Sequence, residues 1–197
     1  MKRVASLMTC AILMQSAAVC AQTATPAQQV QSAQAVTATK PGEPEVTTAS
    51  FGDWQLRCRA AIPAAAGQPA IPRSCEVVQS VMLQGQSAPF AQLAFGKTAP
   101  NEPMFFTMVL PTNIALPSTV KVSLDEKDKQ PVDLAWTRCM PGGCFASVVT
   151  KDDFIKRWRA QEESGRFTFK NSGGQDVTLP FSFRGLSRAL DALAKEA

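Results

Sequence analysis

The residues in this sequence best able to do chemistry are thiols and carboxylates. Cys139 and Cys144 are separated by Met-Pro-Gly-Gly, and Asp125 and Glu126 lie side by side in a run of charges. A cysteine pair at short range can cycle between thiol and disulfide, and paired carboxylates can divide general acid and base work. Each has a quieter rival. Thioredoxin-type dithiols use a two-residue spacing, and no such pattern surrounds Cys139. Pro141-Gly142-Gly143 instead supplies the freedom for a hairpin whose strands a disulfide would pin. Asp125-Glu126-Lys127-Asp128-Lys129 has the mixed charge of a solvated turn. The chain contains no histidine and no tyrosine, which removes the commonest general base, the usual triads and most zinc sites. Gly142-Gly143 and Gly173-Gly174 lack the following Lys-Ser/Thr of a phosphate loop. The expectation is a non-enzymatic protein with no catalytic, cofactor-binding or metal-ligating residues.

The elements that position these groups follow an export signal. Lys2 and Arg3 precede an apolar run from Val4 to Val19, which ends at the small-residue pattern Val19-Cys20-Ala21, so residues 1–21 read as a signal peptide. That run falls short of the roughly 20 apolar residues of a spanning helix, and no second candidate follows. Removing Lys2 and Arg3 from the 20 basic residues leaves 18 against 16 acidic. Neither half is strongly basic, and nucleic acid is not an expected partner.

Cleavage also leaves four cysteines, Cys58, Cys75, Cys139 and Cys144. An even count in an exported chain argues for two disulfides. Four thiols allow three pairings and the sequence alone does not choose among them; the local pairs, Cys58 with Cys75 and Cys139 with Cys144, are the expected ones. In the chain-entropy view the first would stabilise by about 3 kcal/mol and the second by about 2 kcal/mol.

Residues 22–49, rich in Ala, Thr, Gln, Val and Pro, read as a disordered spacer, and residues 50–197 as one β domain. Trp54, Leu56 and Cys58 alternate with Gln55 and Arg57, the mark of a half-buried strand. Arg59 to Ser74 is broken by Pro63, Pro69 and Pro72 and reads as a loop. Further strands are expected at Cys75 to Leu83, Ala91 to Gly96, Met104 to Leu110, Thr119 to Leu124, Val132 to Trp136 and Phe145 to Val149. The Met and Phe stripe at Met104 to Val109 reads as core. Leu110 to Pro117, bracketed by prolines, is expected to form an extended crossover lying on that core.

The period then changes. Thr150 to Asp153 has the form of a capping box, and Phe154, Ile155 and Trp158 recur at helical spacing, so a helix is expected near Asp152 to Glu163, stopping at Ser164-Gly165. Arg166 to Lys170 and Val177 to Phe183 flank a turn at Asn171 to Gly174. Leu186, Leu190 and Leu193 share one face of a closing helix.

Taken together, several segments resemble the invasion-associated locus B family of exported bacterial proteins. They are Gly52-Asp53-Trp54-Gln55-Leu56-Arg57-Cys58, Cys75-Glu76-Val77-Val78-Gln79, Leu110-Pro111 with Ile114 to Pro117, Trp136-Thr137-Arg138-Cys139 with Gly143-Cys144, and Phe183-Arg184-Gly185-Leu186 through Ala189-Leu190. The resemblance spans roughly Phe51 to Leu193. It implies a mainly β domain in the periplasm or at the outer surface, linked in some pathogenic members to host-cell entry, with no established enzymatic activity and no catalytic residues to transfer. It also supports local bonding of the cysteines.

The expected fold is mainly β, an antiparallel β-sandwich or flattened barrel of about seven to nine strands with one internal and one C-terminal helix. The expected function is binding of an envelope or host-surface macromolecule. Two other readings stand beside it: a periplasmic small-ligand carrier with the Met and Phe stripe as pocket wall, and a thiol-redox or carboxylate-based enzyme.

Overall fold

A computed structural model describes residues 45–99 and 101–196; the signal peptide and most of the spacer expected from the sequence lie outside the described residues. The described residues are mainly β with two helices. The strands are β1 (Val46–Phe51), β2 (Trp54–Arg59), β3 (Ser74–Val81), β4 (Ala91–Gly96), β5 (Phe105–Leu110), β6 (Thr119–Ser123), β7 (Val132–Met140), β8 (Gly143–Val149), β9 (Ser164–Lys170) and β10 (Asp176–Ser182). Helix α1 (Asp152–Arg159) lies between β8 and β9, and α2 (Leu186–Lys195) follows β10.

The strands form one sheet in the order β1-β2-β3-β4-β5-β8-β7-β6-β9-β10, and every neighbouring pair is antiparallel. Hairpins account for β1 to β5 and for the β6-β7-β8 meander, while β8 returns to lie beside β5 in a Greek-key arrangement. The link from β5 to β6 is the proline-bracketed crossover. Ile114 bridges Asn171, and the Ala115 N–H donates to the Lys170 carbonyl at 2.9 Å. The segment is thereby tied to the β9–β10 turn.

Ten strands exceed the seven to nine expected. The additional one is β1, whose residues Val46 to Ala49 fall in the stretch read as spacer. Gly52, at φ 63°, and Asp53 close a two-residue turn that pairs Phe51 with Trp54 and runs the ladder back to Val46 opposite Arg59. Every β1 side chain except Phe51 is exposed, so the strand carries no alternation of apolar and polar residues.

Two local expectations near α1 also fail. Lys151, not Thr150, is the N-cap, without a side-chain cap bond; the Thr150 hydroxyl donates instead to the Met104 carbonyl at 2.9 Å. The helix ends at Arg159, and Ser164 and Gly165 open β9. Gly165 is required there by packing: a Cβ would lie 2.6 Å from the Phe181 ring.

The core is aromatic. Trp158, wholly buried on α1, meets Phe154 at 4.4 Å, Phe106 at 5.0 Å and Phe183 at 5.1 Å between ring centroids. Phe95 stacks on Phe106 at 4.7 Å. These separations are those at which tilted and offset rings attract, by about 0.5–1.5 kcal/mol per pair beyond burial.

The two ends of the strand order meet around one polar side chain. Gln79, on β3, is 5% exposed. Its amide oxygen accepts from the Ser182 N–H at 2.9 Å, and its NH2 donates to the Ser182 carbonyl at 3.0 Å. Trp54 Nε1 donates to the same carbonyl at 2.8 Å. Beside this junction the Asp53 N–H donates to the Arg184 carbonyl at 3.0 Å, while the Arg184 guanidinium grips the Asp53 carboxylate at 2.6 and 3.1 Å. Gly185, at φ 92°, packs so tightly that a Cβ would overlap the Phe51 carbonyl oxygen.

Gln79→Ala strands the Ser182 N–H in a largely dry place, while the Ser182 carbonyl keeps its bond from Trp54 Nε1; one unpaired group of that kind costs about 1–3 kcal/mol. Denaturant unfolding of the oxidised protein is expected to show a loss of about 1–3 kcal/mol, against less than about 0.5 kcal/mol for Gln92→Ala on the outer face of β4.

Candidate functional site

Cys58 and Cys75 are directly opposed on β2 and β3, as are Cys139 and Cys144 on β7 and β8. Both pairs are disulfide-bonded, each with Cα atoms 4.0 Å apart. Met140 pairs with Gly143 across the two-residue turn Pro141-Gly142, so the second bond pins a tight hairpin. Arg138 lies over the Phe145 ring at 4.7 Å beside it. The sulfurs of Cys58 and Cys75 and a carboxylate oxygen of Glu196 lie within 4.8 Å of one another. The sulfurs bond each other and offer no thiolate, so the trio does not make a metal centre.

The carboxylates are structural. Asp128, with a side chain 4% exposed, accepts from the backbone N–H groups of Leu124 and Gln130, both at 2.9 Å, and pairs with Arg157 of α1 at 2.7 Å. Burial alone would raise its pKa, but the two backbone bonds and Arg157 outweigh it and hold the carboxyl below the ordinary value. Asp125 accepts from the Lys127 N–H at 2.7 Å, and Glu126 reaches Arg166 at 2.7 Å on the surface. The neighbouring acids Asp125 and Glu126 are thus engaged in shaping and pinning a turn.

Of the Met and Phe stripe only Met104 lines a pocket. Phe106 and Met108 are fully buried in the aromatic core. The pocket is a groove of about 390 Å³ between three pieces of chain. One wall is Ile71 to Cys75, the end of the segment read as a loop. That segment forms a short arm, with Ile62 bridging Ile71 and Ala65 bridging Gln68. A second wall is Lys97 to Ala99 after β4, with Met104 immediately before β5. The third is α2, which turns Leu190, Leu193 and Ala194 to the groove while Leu186 and Ala189 are buried beneath it. Most of this lining is apolar.

Three cations stand on the rim. Arg73 pairs with Glu196 at 2.6 Å, Arg159 with Asp191 at 2.6 Å, and Lys97 is exposed. Among the described residues, Lys97 is in no ion pair within 4.0 Å. Sequence reasoning missed the groove because its lining comes from distant segments. Leu190 and Leu193 read as one face of a closing helix and Met104 read as core, and nothing in the sequence joined them.

The model for the Invasion associated locus B (IalB) protein family matches residues 54–194. The chain belongs to the IalB family. The crystal structure of invasion associated protein b from Bartonella henselae has the same fold, with a TM-score of 0.61 at 16% identity over 76% of this chain and 97% of that one. No curated protein matches the chain. The IalB match runs from Trp54 to Ala194, so it takes in both disulfides, the Gln79 junction and nearly the whole groove. No helix among the described residues is long and apolar enough to cross a membrane.

Asp53 is held below its ordinary value chiefly by its bond to Arg184, and Asp128 is depressed as described. A carboxyl depressed by folding contributes stability above its unfolded pKa of about 4 and loses that contribution as pH falls through the folded value. Stability of this IalB protein is therefore expected to be flat from about pH 5 to 7 and to fall below about pH 4. Asp128→Ala is expected to lose about 1–3 kcal/mol at pH 7 and to flatten that acid limb, as read by urea unfolding across the pH range.

Proposed function

We propose that this IalB protein is an exported, non-enzymatic binding protein and that its ligand occupies the groove between the β2–β3 arm and α2. The observation that carries this reading is the groove itself, about 390 Å³ with an apolar floor and charged rim. Ligand pockets have this form, concave and mostly apolar with a few polar groups that fix orientation. The rest of the chemistry agrees with binding over catalysis. All four cysteines of the described residues are bonded, the chain has no histidine, and the Asp128 carboxylate, its side chain 4% exposed, holds a turn. Two disulfides and family membership support export to the periplasm or outer surface.

A second reading is binding of an envelope or host-surface macromolecule, as invasion in the relative's name suggests. It draws on the arm beside the groove, where Ile62 and Ile71 are 49% and 54% exposed. Paired exposed isoleucines on a projecting hairpin suit a protein partner.

The groove reading is tested with N-phenyl-1-naphthylamine, whose fluorescence rises in apolar surroundings. The oxidised exported chain is expected to bind it saturably. Ala194→Trp, at an exposed position on the groove wall, is expected to weaken binding by at least about fivefold with an unchanged unfolding midpoint. Absence of saturable binding, or full binding by the variant, would overturn the reading.

A further inference from the structure

The rim charges narrow the class of ligand. Arg73 and Arg159 face carboxylates at 2.6 Å, Glu196 and Asp191, and both are therefore largely neutralised. Lys97 stands on the same rim, exposed, and is in no ion pair among the described residues. Glu196 is the one acidic residue of the lining, and Arg73 already engages it. Among the described residues the groove thus presents a single uncommitted positive charge at the edge of an aliphatic floor built from Met104, Leu190 and Leu193. No ring of the aromatic core reaches that lining, so the floor suits a flexible aliphatic chain better than a flat aromatic ligand.

We propose that the groove takes a single-chain aliphatic monoanion, an acyl carboxylate, with its chain on the Met104–Leu190–Leu193 floor and its carboxylate at Lys97. The proposal rests on the groove being a binding site and adds the chemistry of its occupant. Charge complementarity selects the anion: among the described residues the rim holds one unmatched cation and no unmatched acid. The volume selects one chain: about 390 Å³ stands near the lower end of the roughly 300–1,000 Å³ of small-molecule sites, too small for a two-chain lipid. Lysine suits this role because its four-carbon stem lies along apolar surface while its ammonium follows a mobile headgroup.

The test is displacement of N-phenyl-1-naphthylamine from the oxidised exported chain by three dodecyl compounds: dodecanoate, dodecanol and dodecyltrimethylammonium, each as monomer. Dodecanoate is expected to displace the probe at concentrations at least about tenfold lower than the other two. Lys97→Glu, at an exposed position that leaves the fold intact, is expected to remove that preference by about tenfold while leaving dodecanol within about twofold. Added salt is expected to weaken dodecanoate alone. Equal displacement by all three compounds overturns the anion assignment and leaves the groove as an apolar site. Anionic phospholipid vesicles that bind as well as dodecanoate overturn the single-chain assignment. A probe that binds but that none of the three displaces overturns the aliphatic occupant, and a probe that does not bind removes the groove reading beneath it.

Discussion

Gln79 is a buried polar residue, 5% exposed, and it does what a strand pairing would otherwise do. Its amide presents one acceptor and one donor to the Ser182 backbone, at 2.9 and 3.0 Å, in the manner of a strand neighbour. Trp54 adds a third bond, at 2.8 Å, to the same carbonyl. The cost of burying an amide is offset only when its hydrogen bonds are made, and here its oxygen and its NH2 both find partners. The first hairpin of the sheet and the exit from its last strand are thus held together. Gly52 and Gly185 permit the approach: each has positive φ, and a Cβ on either would strike backbone of the other segment.

The groove follows from that junction. Gly185 is the N-cap of α2 in the left-handed conformation, so the angle at which the helix leaves is set where the chain ends meet. From there α2 runs over β1, β2 and β3 and buries Leu186, Ala189 and Leu190. Its last turn passes beyond the face it covers, beside the arm that the Cys58–Cys75 bond holds at its base. Leu193 and Ala194 consequently have chain on two sides of them and open space between. The groove arises where a helix that must dock on one surface extends past it.

Most of the strands were legible in the sequence because their burial alternates in the way period-two patterning assumes: Trp54, Leu56 and Cys58 are buried with Gln55 and Arg57 between them. β1 was not, since a strand exposed along nearly its full length has no reason to alternate; its signal was Gly52-Asp53, a two-residue hairpin loop. The end of α1 was misplaced because Gly165 looked like a helix stop, when its real constraint is the ring of Phe181 from another strand. Tertiary contacts of that kind leave no local mark. The same holds for the groove, where Arg73, Lys97 and Leu193 have no common motif and meet only through the fold. The Asp53–Arg184 pair was present in two of the segments that carried the family resemblance, but nothing in either segment announces the other as its partner.

The parts of the groove are not held equally. Its floor is anchored by buried side chains, Leu190 at 3% exposure among them, and by a disulfide. The rim depends on ion pairs whose side chains are 43% and 33% exposed at Arg73 and Glu196, and pairs of that kind contribute about 0–1 kcal/mol. Glu196 also stands at the C-terminal end of α2, where the helix dipole disfavours a negative charge, so Arg73 offsets a local penalty as much as it adds stability. Opening the Arg73–Glu196 pair therefore costs little and disturbs no buried group. The proposed ligand would enter past the rim without moving the sheet, and a framework pinned by two disulfides and one buried amide would accept it as a rigid body.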